Sequence, residues 1–164
     1  MKMNILCSDE FWMYRAIRLA YYAEYEGEVP VGSIITLNNE VIGEGWNCSI
    51  KNSDPSSHAE IVSLRQGGKY INNYRLLQTT MYVTLEPCIM CMGAIIHARV
   101  ERLVFGAENS KKNGVVKILL SLSNILEINH NINITSGVLE KLCSLQLKNF
   151  FRQIRCKIKT IFYW

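Results

Sequence analysis

From Ser8 to Gly27 the run SDEFWMYRAIRLAYYAEYEG repeats apolar residues at helical spacing, with Ser8 or Asp9 placed to cap its start and Gly27 to stop it. The period then shortens. VGSIITLNNEVIGEGWN reads as two short strands joined at Asn38-Asn39, a pair that suits a tight hairpin turn. SDPSSHAEIVSLRQGGKY places proline and serines ahead of a second helical run, so a helix is expected to begin near His58 and end at Gly67-Gly68. TMYVTLE is β-branched and aromatic, hence a strand, and PCIMCMGAIIHAR opens with Pro87 at a natural first helical position. VERLVFGA is another strand, INHNINITSG holds a short one, and from Gly137 the chain reads as helix nearly to its end. No internal repeat, linker or low-complexity block interrupts the order. Strands and helices in this alternation predict one α/β domain over residues 1–164, three layers deep, with a mixed central sheet.

Composition narrows the class. Of 164 residues, 49% are hydrophobic and 20% charged, enough apolar surface to close a core. The sequence contains neither an apolar run of membrane-spanning length nor the N-terminal apolar stretch of a secretion signal, so a cytoplasmic protein with no membrane association is expected. In that setting six cysteines read as free thiols or ligands rather than as a disulfide framework. A net charge of +4 permits a polyanionic partner without requiring one.

The chemistry concentrates in two places. Cys88 and Cys91 are three residues apart, so on a helix both sulfurs share a face, and in a first turn the unpaired N–H groups favour thiolates. Upstream, His58 and Glu60 stand at the expected start of another helix. A structural zinc site is closed by four protein ligands, whereas a catalytic one leaves a position for water. His58, Cys88 and Cys91 make three. His97 falls on another helix face, and Cys7, Cys48, Cys143, Cys156 and His130 have no ligand-like spacing. C-x-x-C alone also fits a thiol redox pair. Together, H-A-E and P-C-x-x-C form the signature of the zinc nucleobase deaminases, in which Glu60 would be the proton carrier and not a ligand. Two thiolates and an imidazole favour Zn2+, although iron or cobalt accepts the same donors.

Beyond that signature the chain resembles the bacterial tRNA-specific adenosine deaminases, through EVPVG, GWN, HAEI, LRQGG, NYRL, TLEPCIMCMGAIIHAR, VFGA, GVLE and FFRQIR in the family's order. The resemblance implies a cytidine-deaminase-like α/β/α fold, a homodimer, and a tRNA anticodon stem-loop as substrate. It also implies that Asn47 bonds the flipped-out base and that Val29 and Pro30 line its pocket. From the residues alone, Asn47 reads as the turn ending a strand, and Val29-Pro30 as plain loop. Rival readings are a deaminase of free bases or nucleotides and a zinc-stabilised RNA-binding module without turnover.

Near the C-terminus Phe150 and Phe151 stand among Lys148, Arg152, Arg155, Lys157 and Lys159, with no acidic residue after Glu140. Such interleaving suits base stacking and phosphate contact, and it equally suits cations complementing the end of a helix dipole. One departure from the family is visible: Asn109 stands where an aspartate is usual, and Glu108 where a basic residue is usual. Loss of that carboxylate removes an acceptor for ribose hydroxyl groups, by which a protein tells RNA from DNA. The expected outcome is a smaller ribose-to-deoxyribose rate ratio than in Asn109→Asp, measured on matched RNA and DNA arms; equal ratios would contradict it.

Overall fold

The computed structural model describes residues 8–108, 116 and 130–161. Helix α1 (Asp9–Tyr25) starts at Ser8, whose hydroxyl accepts the Phe11 N–H at 3.3 Å, and Asp9 and Glu10 complement the positive end of its dipole. Strands β1 (Gly32–Leu37) and β2 (Glu40–Trp46) form the expected hairpin. Asn38 and Asn39 take φ of 51° and 61°, the two left-handed residues that a tight hairpin turn matching the strand twist needs. A single short helical turn, α2 (Ser49–Asn52), leads to α3 (Ala59–Ile71), β3 (Thr80–Leu85), α4 (Ile89–His97), β4 (Arg102–Ala107), β5 (Asn133–Thr135) and α5 (Glu140–Ile161). Asn109 lies outside the described residues, as do the side chains of Lys157 and Lys159.

The sheet runs β2-β1-β3-β4-β5, antiparallel across the first three strands and parallel from β3 to β5, so it is mixed. On one face Trp12, Met13, Ala16 and Ile17 of α1 and Cys143 of α5 pack against Ile34, Tyr82 and Val104. On the other, Ala59 of α3 and Met92 and Ile95 of α4 cover Ile35, Met81, Val83, Leu103 and Phe105. The α/β/α layering expected from the sequence is therefore present.

Tight contact fixes the layers. A Cβ at Gly45 would press into the Ala59 carbonyl and lie 2.7 Å from the Ser63 nitrogen, and one at Gly43 would lie 2.9 Å from the Gly67 nitrogen. Alternate positions of β2 are thus glycine because α3 rests directly on its backbone. This explains why α3 does not end at Gly67-Gly68 as the sequence suggested: Gly67 faces β2, and the helix continues to Ile71 before Asn72 closes it at φ 53°. Pro87 also differs from expectation. It lies outside α4, because Cys88 keeps an extended backbone (φ −75°, ψ 173°) and serves as the N-cap.

From β4, Arg102 donates to both carboxylate oxygens of Asp9 at 2.8 and 2.7 Å, and the Tyr82 hydroxyl donates to Asp9 Oδ1 at 3.1 Å. Arg102 holds the Asp9 carboxyl below its ordinary range and pins the start of α1 to the sheet. Substituting Gly45→Ala is expected to lower stability by about 1–3 kcal/mol through overpacking. Denaturant unfolding followed by circular dichroism measures this, and an unchanged midpoint would show that α3 does not depend on the contact.

Candidate metal centre

Two helices begin at one point. His58 is the N-cap of α3 and Cys88 the N-cap of α4, both with extended backbones, and neither side chain caps its own helix. Instead the side chains turn toward each other. His58 Nδ1 lies 3.6 Å from Cys88 Sγ and 3.6 Å from Cys91 Sγ, and the two sulfurs are 3.6 Å apart. A tetrahedral zinc with bonds of about 2.3 Å to sulfur and about 2.0 Å to nitrogen holds its ligand atoms about 3.5–3.8 Å apart. The three donors therefore form one face of such a tetrahedron, and they fit the ion.

Among the described residues this is the one group of three or more His, Cys, Asp or Glu donors so arranged. The remaining thiols and histidines of the described residues lie elsewhere. His97 is exposed, His130 Nε2 bonds the Val100 carbonyl at 2.7 Å, and the Cys48 thiol donates to the Trp46 carbonyl at 3.2 Å. Cys143 packs under Gly106 and Cys156 is exposed on α5. Three protein donors leave a fourth position open, the arrangement of a catalytic site.

Charge supports the fit. Sharing a proton with Cys91 pulls the Cys88 thiol down to about 5, against the opposing effect of burial, while the same pairing and burial push Cys91 up. Glu60, the second residue of α3, is 4% exposed. Its burial raises the carboxyl above the usual range, and the neighbouring Cys88 charge adds to the effect. Two sulfurs and a carboxyl competing for so few protons is an arrangement that a divalent cation relieves. Glu60 stands outside the ligand triangle, beside Cys91.

The surrounding loops are tied to these helices. Asn47 Oδ1 accepts the Ala59 N–H at 3.0 Å, capping the helix terminus that carries His58 and Glu60. Its backbone N–H reaches the Val31 carbonyl at 3.2 Å, joining it to the loop of half-buried Val29 and buried Pro30. The reading of Asn47 as the residue that ends a strand is thus met: its oxygen closes the loop and caps a helix.

Sequence reasoning missed the carboxylates behind these loops. Buried Glu28 accepts the Lys51 N–H at 2.9 Å, while Glu26 takes the Lys51 ammonium at 2.6 Å and the Trp46 indole N–H at 3.0 Å. Asp54 accepts from Ser56 and Ser57 at 2.7–2.8 Å, bonds that draw its carboxyl down to about 2 and shape the approach to His58. Asp54-Pro55 carries a turn signal. Glu26 and Glu28 carry none, because their partners are distant in sequence.

The two residues taken from the C-terminal helix sit elsewhere. Phe150 is 7% exposed and lies against Gly27 and Glu24, with Phe151 edge-on at 5.5 Å. Phe151 presents the more exposed ring. Arg152 is exposed and donates to Asn149 Oδ1 at 3.2 Å. Both belong to α5, in the opposite layer from α3 and α4, and Phe150 shares a small cavity with Glu24 and Gly27.

Known proteins align with this geometry. The MafB19-like deaminase family pattern matches residues 7–155. A tRNA-specific adenosine deaminase of Buchnera aphidicola subsp. Baizongia pistaciae is 52% identical over 159 residues, covering 95% of each chain. That of Haemophilus influenzae is 50% identical, covering 90% of this chain and 85% of its own. A solved tRNA:A34 deaminase, studied for A-to-I editing at the wobble position of transfer RNA, superposes with a TM-score of 0.77 at 33% identity, over 83% of this chain and 98% of its own.

Proposed function

The chain belongs to the tRNA-specific adenosine deaminase family, and from that premise we propose that it hydrolyses adenosine to inosine at the wobble position of a tRNA anticodon. The observation that carries this reading is the 3.6 Å triangle of His58, Cys88 and Cys91 with buried Glu60 beside it. Zinc held by His58 Nδ1 and the two sulfurs supplies, when bound, the Lewis acidity that makes water a nucleophile near neutral pH.

Glu60 does the proton work. Its carboxylate takes a proton from the attacking water and passes it to a purine ring nitrogen as the new C–O bond forms at C6; it then takes the C6 hydroxyl proton and gives it to the amine, so that the C6 carbonyl forms as the C6–N bond breaks and ammonia leaves. Because Glu60 is buried, these transfers occur away from bulk solvent. Asn47 donates from Nδ2 to a ring nitrogen of the base, since its oxygen is committed to α3. Val29 and Pro30 form an apolar wall against the purine. Arg152 meets the RNA backbone, and Phe150 packs beneath Phe151, whose exposed ring faces the loop bases. An anticodon loop suits such a site because its bases are unpaired and cheap to extrude.

A homodimer in the cytoplasm completes the reading. Support comes from an open groove of about 660 Å³ between α3 and α4, lined by Ile61, Leu64, Tyr74 and Ala94 and adjoining the helices that carry the ligands. Exposed Ile89 and Met90 at the start of α4 extend the apolar surface. No helix among the described residues is long and apolar enough to cross a membrane.

Zinc-loaded protein incubated with an anticodon arm carrying wobble adenosine should yield inosine, read by mass spectrometry after nuclease digestion. An arm that is bound yet returns only adenosine would contradict the proposal.

A further inference from the structure

Beyond β3 the chain turns through Glu86 and Pro87 before Cys88 opens α4, so the placement of one ligand sulfur depends on these two residues. Glu86 is held through both its backbone and its side chain. Its backbone N–H donates to the Ala107 carbonyl at 2.9 Å, extending the parallel β3–β4 pairing past Leu85. Its side chain is buried, at 5% exposure, and Oε1 accepts the Val116 N–H at 3.2 Å. Val116 is itself buried and packs in one cluster with Val83, Phe105, Met92 and Ile95. The bond therefore joins the turn that carries Cys88 to the core beneath α4.

The turn passes on what Glu86 fixes. Proline locks its own φ and restricts the residue before it to extended backbone. Cys88 is extended as well, and its side chain caps nothing. Few soft torsions separate the Glu86 backbone from the Cys88 sulfur, so a shift at Glu86 carries the sulfur with it. The start of α3 is tied in a comparable way, because Asn47 Oδ1 takes the N–H of Ala59 beside His58. Filling space does not call for a carboxyl at position 86. A buried carboxylate is unfavourable unless it is bonded, and this one is bonded to a backbone group that the core already holds.

We propose that Glu86 is a positioning residue for the metal centre: by its bond to Val116 it holds the turn into α4, and with it the Cys88 sulfur, at the spacing the ion needs. The assignment rests on the zinc reading of the triangle and adds a residue outside the ligand set. A side chain that only filled the core would change stability, but not how tightly or in what geometry the ion is held.

The test compares full-length wild type, Glu86→Ala, Glu86→Asp, Glu86→Gln and, as a stability control on the opposite sheet face, Cys143→Ala. Zinc affinity is measured by competition with a chromophoric chelator, and the Co2+ form of each protein is read for its visible absorption, which reports ligand geometry. Loss of the bond should weaken zinc binding about tenfold to hundredfold in Glu86→Ala and lower its cobalt d–d intensity. Glu86→Gln keeps an acceptor at the same reach and should stay close to wild type. Glu86→Asp keeps the charge but falls a methylene short, so it should follow the alanine variant, and it carries the test if that variant does not fold. Cys143→Ala should lose stability and hold zinc as wild type does. Zinc affinity and spectra unchanged in Glu86→Ala and Glu86→Asp would overturn the role. So would Glu86→Gln as weak as Glu86→Ala, or Cys143→Ala losing zinc to the same degree. If wild type itself takes up no metal, the zinc reading fails and this role with it; a metal-binding wild type with unaffected variants removes the role alone.

Discussion

Everything in this protein depends on holding two helix N-termini against each other with the precision a metal demands. Three donor atoms 3.6 Å apart come from two separate helices, so any slide of α3 relative to α4 would open the triangle. Side-chain packing alone leaves room for such movement. Backbone contact leaves far less, and α3 rests on the backbone of β2 through Gly43 and Gly45. Asn47 then fixes the terminus itself, because its oxygen bonds the first helical N–H beside His58. The parallel β3–β4 pair places α4 in the same layer, and Cys88 at the N-cap lets a C-x-x-C pair present both sulfurs at one end.

The arrangement is electrostatically demanding. Two sulfurs and the Glu60 carboxyl occupy a mostly buried region, and without a cation they drive one another's proton affinities apart. Helix N-termini supply part of the compensation, because their free N–H groups favour negative charge. A divalent ion bound by the triangle would supply the rest and would couple the order of the two helix starts to metal binding. The loop carboxylates Glu26, Glu28 and Asp54 then stiffen the polypeptide on either side of Asn47 without touching the metal ligands.

Much of this was legible in the sequence, and for a physical reason. Element types followed from period, and the Asn38-Asn39 turn from backbone preference, because both are local properties. His58, Cys88 and Cys91 were legible because metal chemistry allows few donor sets and spacings. The errors fell where tertiary contact overrides local preference. Gly67-Gly68 looked like a helix stop, yet Gly67 is there to let α3 approach β2. Pro87 looked like a first helical residue, yet Cys88 needed the N-cap position. The clamp of Glu26 and Glu28 on Lys51 and the bond of Glu86 to Val116 depend on partners more than twenty residues away, which no local pattern encodes.

The central claim is that His58, Cys88 and Cys91 hold the ion while Glu60 moves the protons. It is tested most directly in Glu60→Gln, with zinc per chain and the rate of inosine formation measured on the same preparation. The account predicts one zinc per chain, as in wild type, with turnover reduced by about 10²-fold or more. Turnover at the wild-type rate, or zinc lost along with activity, would contradict it.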